Sequence, residues 1–161
     1  MEFVHKPIML NEILSGLNIK PDGIYLDCTI GGAGHSREII KHLSNKGRLI
    51  GIDKDQDALD VCKERLKDYN NVTLVKSDFK DVQKVLDDLN IQGLDGVLID
   101  LGVSSYQLDN PERGFSFRYD AKLDMRMDKT QKLSAYEVVN TYSKQHLTRI
   151  LAEYGEEEYA S

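Results

Sequence analysis

The sequence predicts an α/β fold in which helices cover both faces of a mostly parallel sheet. Four short apolar runs lack two-residue alternation, which is typical of strands that are buried on both faces. Helical patterns with apolar residues at three- and four-residue steps lie between these runs. Because strands and helices alternate strictly, right-handed crossovers build a doubly wound sheet of Rossmann type, in which ligands bind beyond the carboxyl ends of the strands.

The elements follow one another in order along the chain. Apolar spacing between Ile8 and Leu17 predicts a short amphipathic helix before Pro21-Asp22-Gly23, which is a turn signal. The four strands are predicted at residues 24–27, 49–53, 72–75 and 96–100. The helices between them are predicted at residues 35–43, 56–66 and 79–89. Residues 102–132 are predicted to be loop, followed by helices at residues 135–141 and 144–153.

Composition and charge limit the function classes. At 161 residues and 40% hydrophobic content, the chain can bury the core of one compact domain. The net charge of -6 argues against a general nucleic-acid coat, because nonspecific binding to phosphates needs clustered Lys and Arg. Residues 113–149 carry eight Lys or Arg and four Asp or Glu, a local charge of +4 against -10 elsewhere. A solvated helical surface explains this charge, and an RNA contact is the alternative.

The sequence also predicts the compartment. No stretch approaches the apolar length of a membrane span, and the first residues lack the layout of a secretory signal. We therefore expect a cytoplasmic protein without membrane contact. Cys28 and Cys62 lack the spacing of a disulfide framework or a zinc site, so we expect reduced packing residues and no metal.

Acidic residues mark the ends of the predicted strands. Asp27, Asp53 and Asp100 each end a strand, and Asp78 follows the remaining one. A single acid of this kind is often a helix cap, and Asp55 is expected to cap the second helix in this way. Four such acids at one edge of a sheet indicate a ligand site instead.

The loop after the first strand, residues 27–35, predicts the type of ligand, and we call it the glycine loop. Its small residues let a ligand approach the backbone, but it lacks the G-x-G-x-x-G spacing of a pyrophosphate site. Asp27 would repel a pyrophosphate and suits the positive amino group of S-adenosylmethionine (SAM). Asp53 can accept ribose hydroxyls. Asp78 and Phe79 can bracket an adenine, although Phe79 can equally be a core residue of the third helix.

The segment after the fourth strand, residues 100–107, lies where an acceptor substrate would meet the cofactor. Methylation of an exocyclic amine needs alignment and an acceptor for the positive charge that develops on nitrogen, and Asp100 can be that catalytic acceptor. This segment contains no Cys for a covalent route through a thiol adduct. The sequence therefore favours methylation of nitrogen over carbon.

Six motifs occur in order along the chain. They are His5-Lys6-Pro7, Gly31-Gly32-Ala33-Gly34-His35-Ser36, Asp100-Leu101-Gly102-Val103-Ser104-Ser105, Arg113-Gly114-Phe115-Ser116-Phe117, Leu123-Asp124-Met125-Arg126-Met127-Asp128 and Tyr154-Gly155-Glu156-Glu157. Together they resemble the MraW (RsmH) family of small-subunit (16S) ribosomal RNA cytosine-N4 methyltransferases, over essentially the whole chain. The resemblance implies a class I SAM-dependent methyltransferase fold, with an rRNA or a 30S particle as partner.

The resemblance also implies individual site residues. Its cofactor contacts fall on Ala33, Gly34, His35, Asp53, Phe79, Asp100 and Gln107. It is the resemblance that singles out His35 and Gln107; without it, His35 would be expected to face solvent. As substrate contacts we expect Ser104, Ser105, Tyr106, Arg113 and Arg126. Tyr106 stands where many relatives have Pro, and its ring is either a platform for a base or an exposed loop side chain.

The resemblance further implies a longer protein. Residues 1–110 would form the SAM-binding core with its first four strands, and residues 111–161 would begin a helical insert. The fourth strand would then be a sheet edge, through which copies of the chain can self-associate. The motif at residues 123–128 is either an ion-paired turn that packs Met125 and Met127 or a device that orders an RNA-binding loop.

Two other function classes stay open on the sequence. A nucleotide (NAD)-dependent Rossmann oxidoreductase would use the same sheet and Asp53. A non-catalytic binding module would bind SAM without transferring its methyl group.

Overall fold

The computed structural model describes residues 7–160, so His5 and Lys6 of the first motif lie outside the described residues. The chain divides into two compact units, Met1–Gly102 and Val103–Ser161. The boundary predicted from the family resemblance, between residues 110 and 111, stays a prediction.

The first unit contains the predicted parallel sheet. Its strands are β1 (Ile24–Asp27), β2 (Arg48–Asp53), β3 (Val72–Lys76) and β4 (Gly96–Leu98). Its helices are α1 (Leu10–Leu17), α2 (Gly34–Lys41), α3 (Gln56–Arg65) and α4 (Val82–Asp88), and a 3-10 turn at Phe79–Asp81 leads into α4. The strand order is β3-β2-β1-β4, and every pair is parallel. The predicted Rossmann-like α/β fold is confirmed.

Two hydrophobic clusters lie on opposite faces of this sheet. Neighbouring residues of a strand point to opposite faces, and Tyr25 and Leu26 accordingly belong to different clusters. The first cluster includes Ile39 and Ile40 of α2, and the second includes Val85 of α4. The crossovers through α2 and α3 run from β1 towards β3, whereas the return through α4 leads to β4 on the other side of β1. The order reverses between β1 and β4, which is where ligands bind in such sheets.

The outer strands differ from their prediction. The central strands β1 and β2 are buried on both faces as expected, but β3 is only half-buried and Val97 of β4 is exposed. The prediction that all four strands are buried on both faces is wrong for β3 and β4. These two strands lie at the edges of the described sheet, where each has one neighbouring strand.

The fourth strand also ends earlier than predicted. Its last pair with β1 joins Leu98 to Asp27. The amide of Cys28 still donates to the carbonyl of Leu98 at 2.9 Å, after which the chain beyond β1 turns into the glycine loop. Ile99 and Asp100 therefore lie beyond the ladder and are exposed. The prediction that Asp100 ends the strand is wrong by two residues.

The second unit is helical. It contains α5 (Ser105–Asp109), a 3-10 turn at Pro111–Arg113, α6 (Ala135–Thr141) and α7 (Lys144–Glu153). The last two helices have the predicted bounds. Helix α5 lies in a segment that was predicted to be loop; its N-terminus is fixed by a capping box, in which Ser104 and Gln107 exchange side-chain and backbone hydrogen bonds. Among the described residues, no helix is long and apolar enough to cross a bilayer.

Candidate cofactor-binding site

Asp27 anchors the glycine loop and the start of α2 through hydrogen bonds to its carboxylate. Its carboxylate is buried, with Oδ1 accepting from the amide of Thr29 at 3.1 Å and Oδ2 from the hydroxyl of Ser36 at 2.7 Å. Burial raises the pKa of Asp27 to about 6, and the nearby charge of Asp53 adds to this rise. Hydrogen bonds from Ser36 and Thr29 act in the opposite direction because they favour the charged form. The loop is thus folded around a carboxylate that is costly to charge.

The glycine loop itself is held by α3. The guanidinium of Arg65 donates to the carbonyl of Gly32 at 2.6 Å, and the thiol of Cys62 donates to the carbonyl of Gly31 at 3.0 Å. Gly31 and Ala33 have left-handed φ angles of +50° and +62°. For Ala33 this conformation is uncommon, and the completely buried Ala33 forms the N-cap of α2. The loop is therefore a fixed turn that leads directly into a helix N-terminus.

Asp53 connects the glycine loop to the end of β2. Its Oδ2 accepts from the amide of Gly31 and its Oδ1 from the amide of Asp55, both at 2.9 Å. Burial raises the pKa of Asp53, and these two amide bonds lower it. Asp55 caps α3 by accepting from the amide of Asp57, as predicted. The half-buried Asp53 is thus placed at the edge of the sheet beside the glycine loop.

Asp78 and Phe79 follow β3 at the same edge. Asp78 caps the 3-10 turn by accepting from the amide of Lys80 at 3.2 Å, and its Oδ2 lies 3.7 Å from the ammonium of Lys54. Phe79 is 40% exposed. The alternative that Phe79 is a core residue of the third helix is therefore wrong, because Phe79 lies in the 3-10 turn before α4 and belongs to neither hydrophobic cluster.

Asp100 is connected to the glycine loop through its backbone. Its amide donates to the hydroxyl of Thr29 at 2.8 Å, and Asp100 is exposed. Because Thr29 is itself bonded to Asp27, a continuous series of hydrogen bonds runs from the end of β1 to the segment after β4. Sequence reasoning missed Thr29 and Ser36. The available signal for Thr29 was its position two residues after a strand-end Asp, where an Asx-type bond forms.

Gly34 and His35 contact the segment that precedes α1. A Cβ atom at Gly34 would lie 3.4 Å from the Cβ of Pro7. The imidazole Nε2 of His35 lies 2.8 Å from the carbonyl oxygen of Ile8, and the side chain is buried. Without the resemblance, His35 would be expected to face solvent, and that expectation is wrong. A cofactor contact of His35 stays a prediction.

In the second unit, predicted site residues form hydrogen bonds with other residues of the same unit. The side chain of Gln107 is buried and its Oε1 accepts from the amide of Ser104 at 3.0 Å, which completes the cap of α5. Ser105 and Tyr106 are half-buried in the same short helix, and the Tyr106 hydroxyl accepts from the side-chain Nδ2 of Asn110 at 3.3 Å. The view of Tyr106 as an exposed loop side chain is therefore wrong. Their roles toward cofactor and substrate stay predictions.

Arg113 and Arg126 form the framework of the motif at residues 123–128. Arg113 is buried and donates through Nη2 to the carbonyls of Arg126 at 2.9 Å and Met127 at 3.1 Å. Arg126 makes a two-pronged ion pair with Asp124, at 2.8 Å from Nε and 2.6 Å from Nη2. The ion-paired turn is confirmed. The packing of Met125 is not, because its side chain is exposed.

The structure thus distributes the predicted residues over both units. The carboxyl edge of the first unit carries Asp27, Ala33, Gly34, His35, Asp53, Asp78, Phe79 and Asp100. The second unit carries Ser104, Ser105, Tyr106, Gln107, Arg113 and Arg126. An acidic sheet edge with an exposed Phe and a tight loop at a helix start suits a ligand with a positive charge and an aromatic base.

Known proteins resemble the chain both in sequence and in fold. Ribosomal RNA small subunit methyltransferase H of Clostridium botulinum (strain Kyoto / Type A2) is 54% identical over 160 residues, covering 99% of this chain and 52% of the relative. The protein of the same name from Clostridioides difficile (strain 630) is 53% identical over 161 residues, with the same coverage. The chain therefore spans about half the length of the curated relatives it matches.

Solved structures support the fold. A protein of Clostridium thermocellum assigned as an rRNA methylase has a TM-score of 0.53 and 21% identity, covering 62% of this chain and 54% of that one. The C-terminal domain of a precorrin-6Y methyltransferase from Rhodobacter capsulatus has a TM-score of 0.50 and 20% identity, covering 65% and 54%. The model of one family, the MraW methylase family, matches residues 2–161. Since this match spans nearly the whole sequence, the chain belongs to the MraW methylase family.

Proposed function

We propose that this chain binds SAM at the carboxyl edge of its sheet, as the front part of an enzyme that methylates N4 of a cytosine in small-subunit ribosomal RNA. The observation that carries the proposal is that two strand-end acids, Asp27 and Asp53, both accept hydrogen bonds from the glycine loop, at the edge of the sheet that also carries the exposed Phe79. The substrate follows from the family and from the name of the relatives, ribosomal RNA small subunit methyltransferase H. We assign the activity to proteins of the relatives' full length, of which this chain spans about half.

Charge complementarity supports SAM as the ligand. The cofactor carries a positive sulfonium and a positive ammonium group. Burial raises the pKa values of Asp27 and Asp53, so the negative charges of these two carboxylates are not fully compensated by their hydrogen bonds. A bound cation offsets this cost. A pyrophosphate would increase it, which argues against the NAD-dependent alternative, as does the family's description as methylases.

The remaining contacts fit an adenosine. A carboxylate has about four acceptor sites, so Asp53 can hold the Gly31 and Asp55 amides and still accept from a ribose hydroxyl. Phe79 offers an exposed apolar face for the adenine ring, and the Asp78 carboxylate lies next to it in the chain and can accept from the amino group. Ala33 and Gly34 let the ligand approach the backbone at the start of α2.

The chain's own contribution to methyl transfer is alignment and charge. SAM supplies the electrophilic methyl group. The exposed carboxylate of Asp100 can accept a proton or stabilise the charge that develops on the cytosine amine, and Thr29 fixes the backbone at this point. Residues 100–107 contain no Cys for a thiol adduct, so transfer to nitrogen is favoured over carbon.

Calorimetric titration of the chain with SAM tests the proposal. We expect saturable binding by SAM and none by NAD at the same concentrations. Phe79→Ala removes one exposed ring and should weaken SAM binding by roughly fivefold, in keeping with about 1 kcal/mol for an aromatic contact. Tyr159→Ala, which removes an exposed ring in the second unit, should leave the affinity unchanged. Binding of NAD without SAM would overturn the proposal.

A non-catalytic binding role is the second candidate for this chain, because the chain spans about half of its relatives. Methyl transfer to small ribosomal subunits separates the two. If the chain binds SAM but transfers no methyl group, while a protein of the relatives' length does, the chain alone is a binding module.

Location and association complete the proposal. We propose that the protein acts in the cytoplasm, where an rRNA substrate would be assembled, and that it makes no membrane contact. We also propose that β4 supports self-association, because β4 pairs only with β1 within the described residues and exposes Val97.

A further inference from the structure

We infer that residues 115–121 of the second unit, the 115–121 loop, form an element that binds single-stranded RNA by stacking and phosphate contacts. This inference rests on the proposed function, since it names the surface that would receive the RNA. It replaces Arg113 and Arg126, which were expected from the sequence, with a different set of residues.

The base of the loop is closed and close-packed. A Cβ atom at Gly114 would lie 2.4 Å from the amide nitrogen of Asp124 and 2.4 Å from the carbonyl oxygen of Lys122. The amide of Met125 donates to the carbonyl of Arg113 at 3.0 Å. The residues on either side of the loop are therefore in direct contact. A loop with joined ends on a packed base presents its tip residues from a defined platform, which is common in functional loops.

Arg113 and Arg126 maintain this base. The buried Arg113 donates to the carbonyls of Arg126 and Met127, and Arg126 pairs with Asp124 and donates to the carbonyl of Gln131 at 2.6 Å. Their guanidinium groups are oriented by protein groups of the same unit. Direct phosphate contacts are accordingly better assigned to the exposed cations nearby.

The tip of the loop carries exposed rings and a cation. Phe117 is 100% exposed and Tyr119 is 45% exposed, with the exposed Arg118 between them. Close to the base, the ammonium of the exposed Lys122 lies 5.4 Å from the centre of the Tyr136 ring, which is itself exposed. A fully exposed Phe contributes nothing to a core, so this ring is available for a ligand.

This chemistry fits a single strand better than a duplex. Unpaired bases stack on exposed aromatic side chains, whereas the bases of a duplex are already stacked. Arg118 and Lys122 can contact the phosphates that flank a stacked base. The local charge of +4 over residues 113–149 has the sign that phosphates require, in a chain whose total charge is -6.

Fluorescence anisotropy with a fluorescein-labelled oligocytidine RNA tests the inference on the whole chain. Phe117→Ala should weaken binding about tenfold, because stacking of one base on one ring is worth ~1–3 kcal/mol. Arg118→Gln should weaken binding and lower the slope against salt concentration by about one. Both side chains are exposed, so thermal unfolding should show the same midpoint as the unchanged chain.

Two matched controls separate the loop from general effects. Tyr159→Ala removes an exposed ring elsewhere in the unit, and Lys84→Gln removes an exposed positive charge on α4, outside the basic segment of residues 113–149. Losses confined to the loop variants support the inference. Equal losses in loop and control variants, no loss with Phe117→Ala, equal affinity for an RNA duplex, or no binding by the unchanged chain would each overturn it. SAM titration of Phe117→Ala is independent of these results and reports on the proposed function alone.

Discussion

The hydroxyl of Thr29 accepts a hydrogen bond from the backbone amide of Asp100 at 2.8 Å and so joins the glycine loop to the segment after β4. The amide of Thr29 donates in turn to the buried carboxylate of Asp27 at 3.1 Å. One small side chain thus connects the predicted cofactor loop with the residue predicted to act on the substrate. Because β4 ends at Leu98, Asp100 depends on contacts of this kind for its position.

Removing the Thr29 hydroxyl should release Asp100. Thr29→Val keeps the shape of the side chain but cannot accept the bond. A typical hydrogen bond contributes about 1 kcal/mol, so hydrogen exchange of the Asp100 amide should accelerate roughly fivefold. Thr29→Ser, which retains the hydroxyl, should preserve the protection. Exchange can be followed residue by residue by NMR, and equal protection in the Val and Ser variants would contradict the role of Thr29.

The buried carboxylate of Asp27 should make stability depend on pH. Its pKa is about 6 in the folded chain against 3.8 as the ordinary value, so folding favours the protonated form. This contribution is present below about pH 4 and is lost as the pH rises through 6. Relative to Asp27→Asn, the unchanged chain should lose roughly 2 to 3 kcal/mol of unfolding free energy between about pH 4 and pH 7.

Denaturant unfolding at a series of pH values provides the measurement. Asp95→Asn is the matched control, because its hydrogen bond with Lys20 lowers the pKa of Asp95 and the sign of the effect is reversed. The Asp95 carboxylate should therefore stabilise the fold above its usual pKa and lose that contribution in acid. If the difference in unfolding free energy between the unchanged chain and Asp27→Asn stays constant with pH, burial does not raise the pKa of Asp27.

The central strands of the sheet could be predicted from the sequence, whereas the end of β4 and the helix that follows it could not. Apolar runs such as β2 indicate burial on both faces, and the helical stretches predicted around residues 135–141 and 144–153 match α6 and α7. The end of β4 depends on the point at which β1 turns away, which is a tertiary relationship that no local pattern contains. Helix α5 was missed because its polar composition resembles a loop, although Ser104 and Gln107 have the spacing of a capping box.

For the site, the position of each acidic residue on the sheet was easier to predict than its hydrogen-bond partners. The end of a parallel strand fixes the edge on which Asp27 and Asp53 lie. The sequence could not show that Asp27 binds the Ser36 hydroxyl, because the two are brought together by the turn at Gly31. Arg113 was expected to contact the substrate, and only the fold reveals that its side chain is buried and donates to the carbonyls of Arg126 and Met127.

Arg126 should be more important for stability than for direct RNA contact. Arg126→Ala removes the pair with Asp124 and the bonds to two carbonyls, which should lower the thermal unfolding midpoint. Arg126→Lys keeps the positive charge but cannot bind both oxygens of Asp124 as the guanidinium does, so it should recover only part of the lost thermal stability. Circular dichroism and RNA anisotropy together decide the role. Loss of RNA binding with an unchanged midpoint would contradict the structural role of Arg126.

Gly114 should be intolerant of a side chain. Its φ of +68° lies in the left-handed region, and a Cβ atom would lie 2.4 Å from two backbone atoms of the facing segment. Gly114→Ala should therefore destabilise the second unit by about 1–3 kcal/mol, as expected for a strained backbone position. Gly93→Ala is the control, because a Cβ atom there meets nothing within 4 Å. Equal unfolding free energies for the two variants would show that the base of the 115–121 loop is not packed closely.

The edge at β4 should determine self-association. An edge strand offers unpaired backbone groups to a second strand, and Val97 adds an exposed apolar side chain. Lysine on an edge strand opposes such pairing because its charge would have to be buried. Sedimentation velocity at increasing concentration should show association of the unchanged chain and a monomer for Val97→Lys. Val139→Lys places the same charge on an exposed position of α6 and should associate like the unchanged chain. If both lysine variants dissociate alike, net charge controls association and the β4 edge does not.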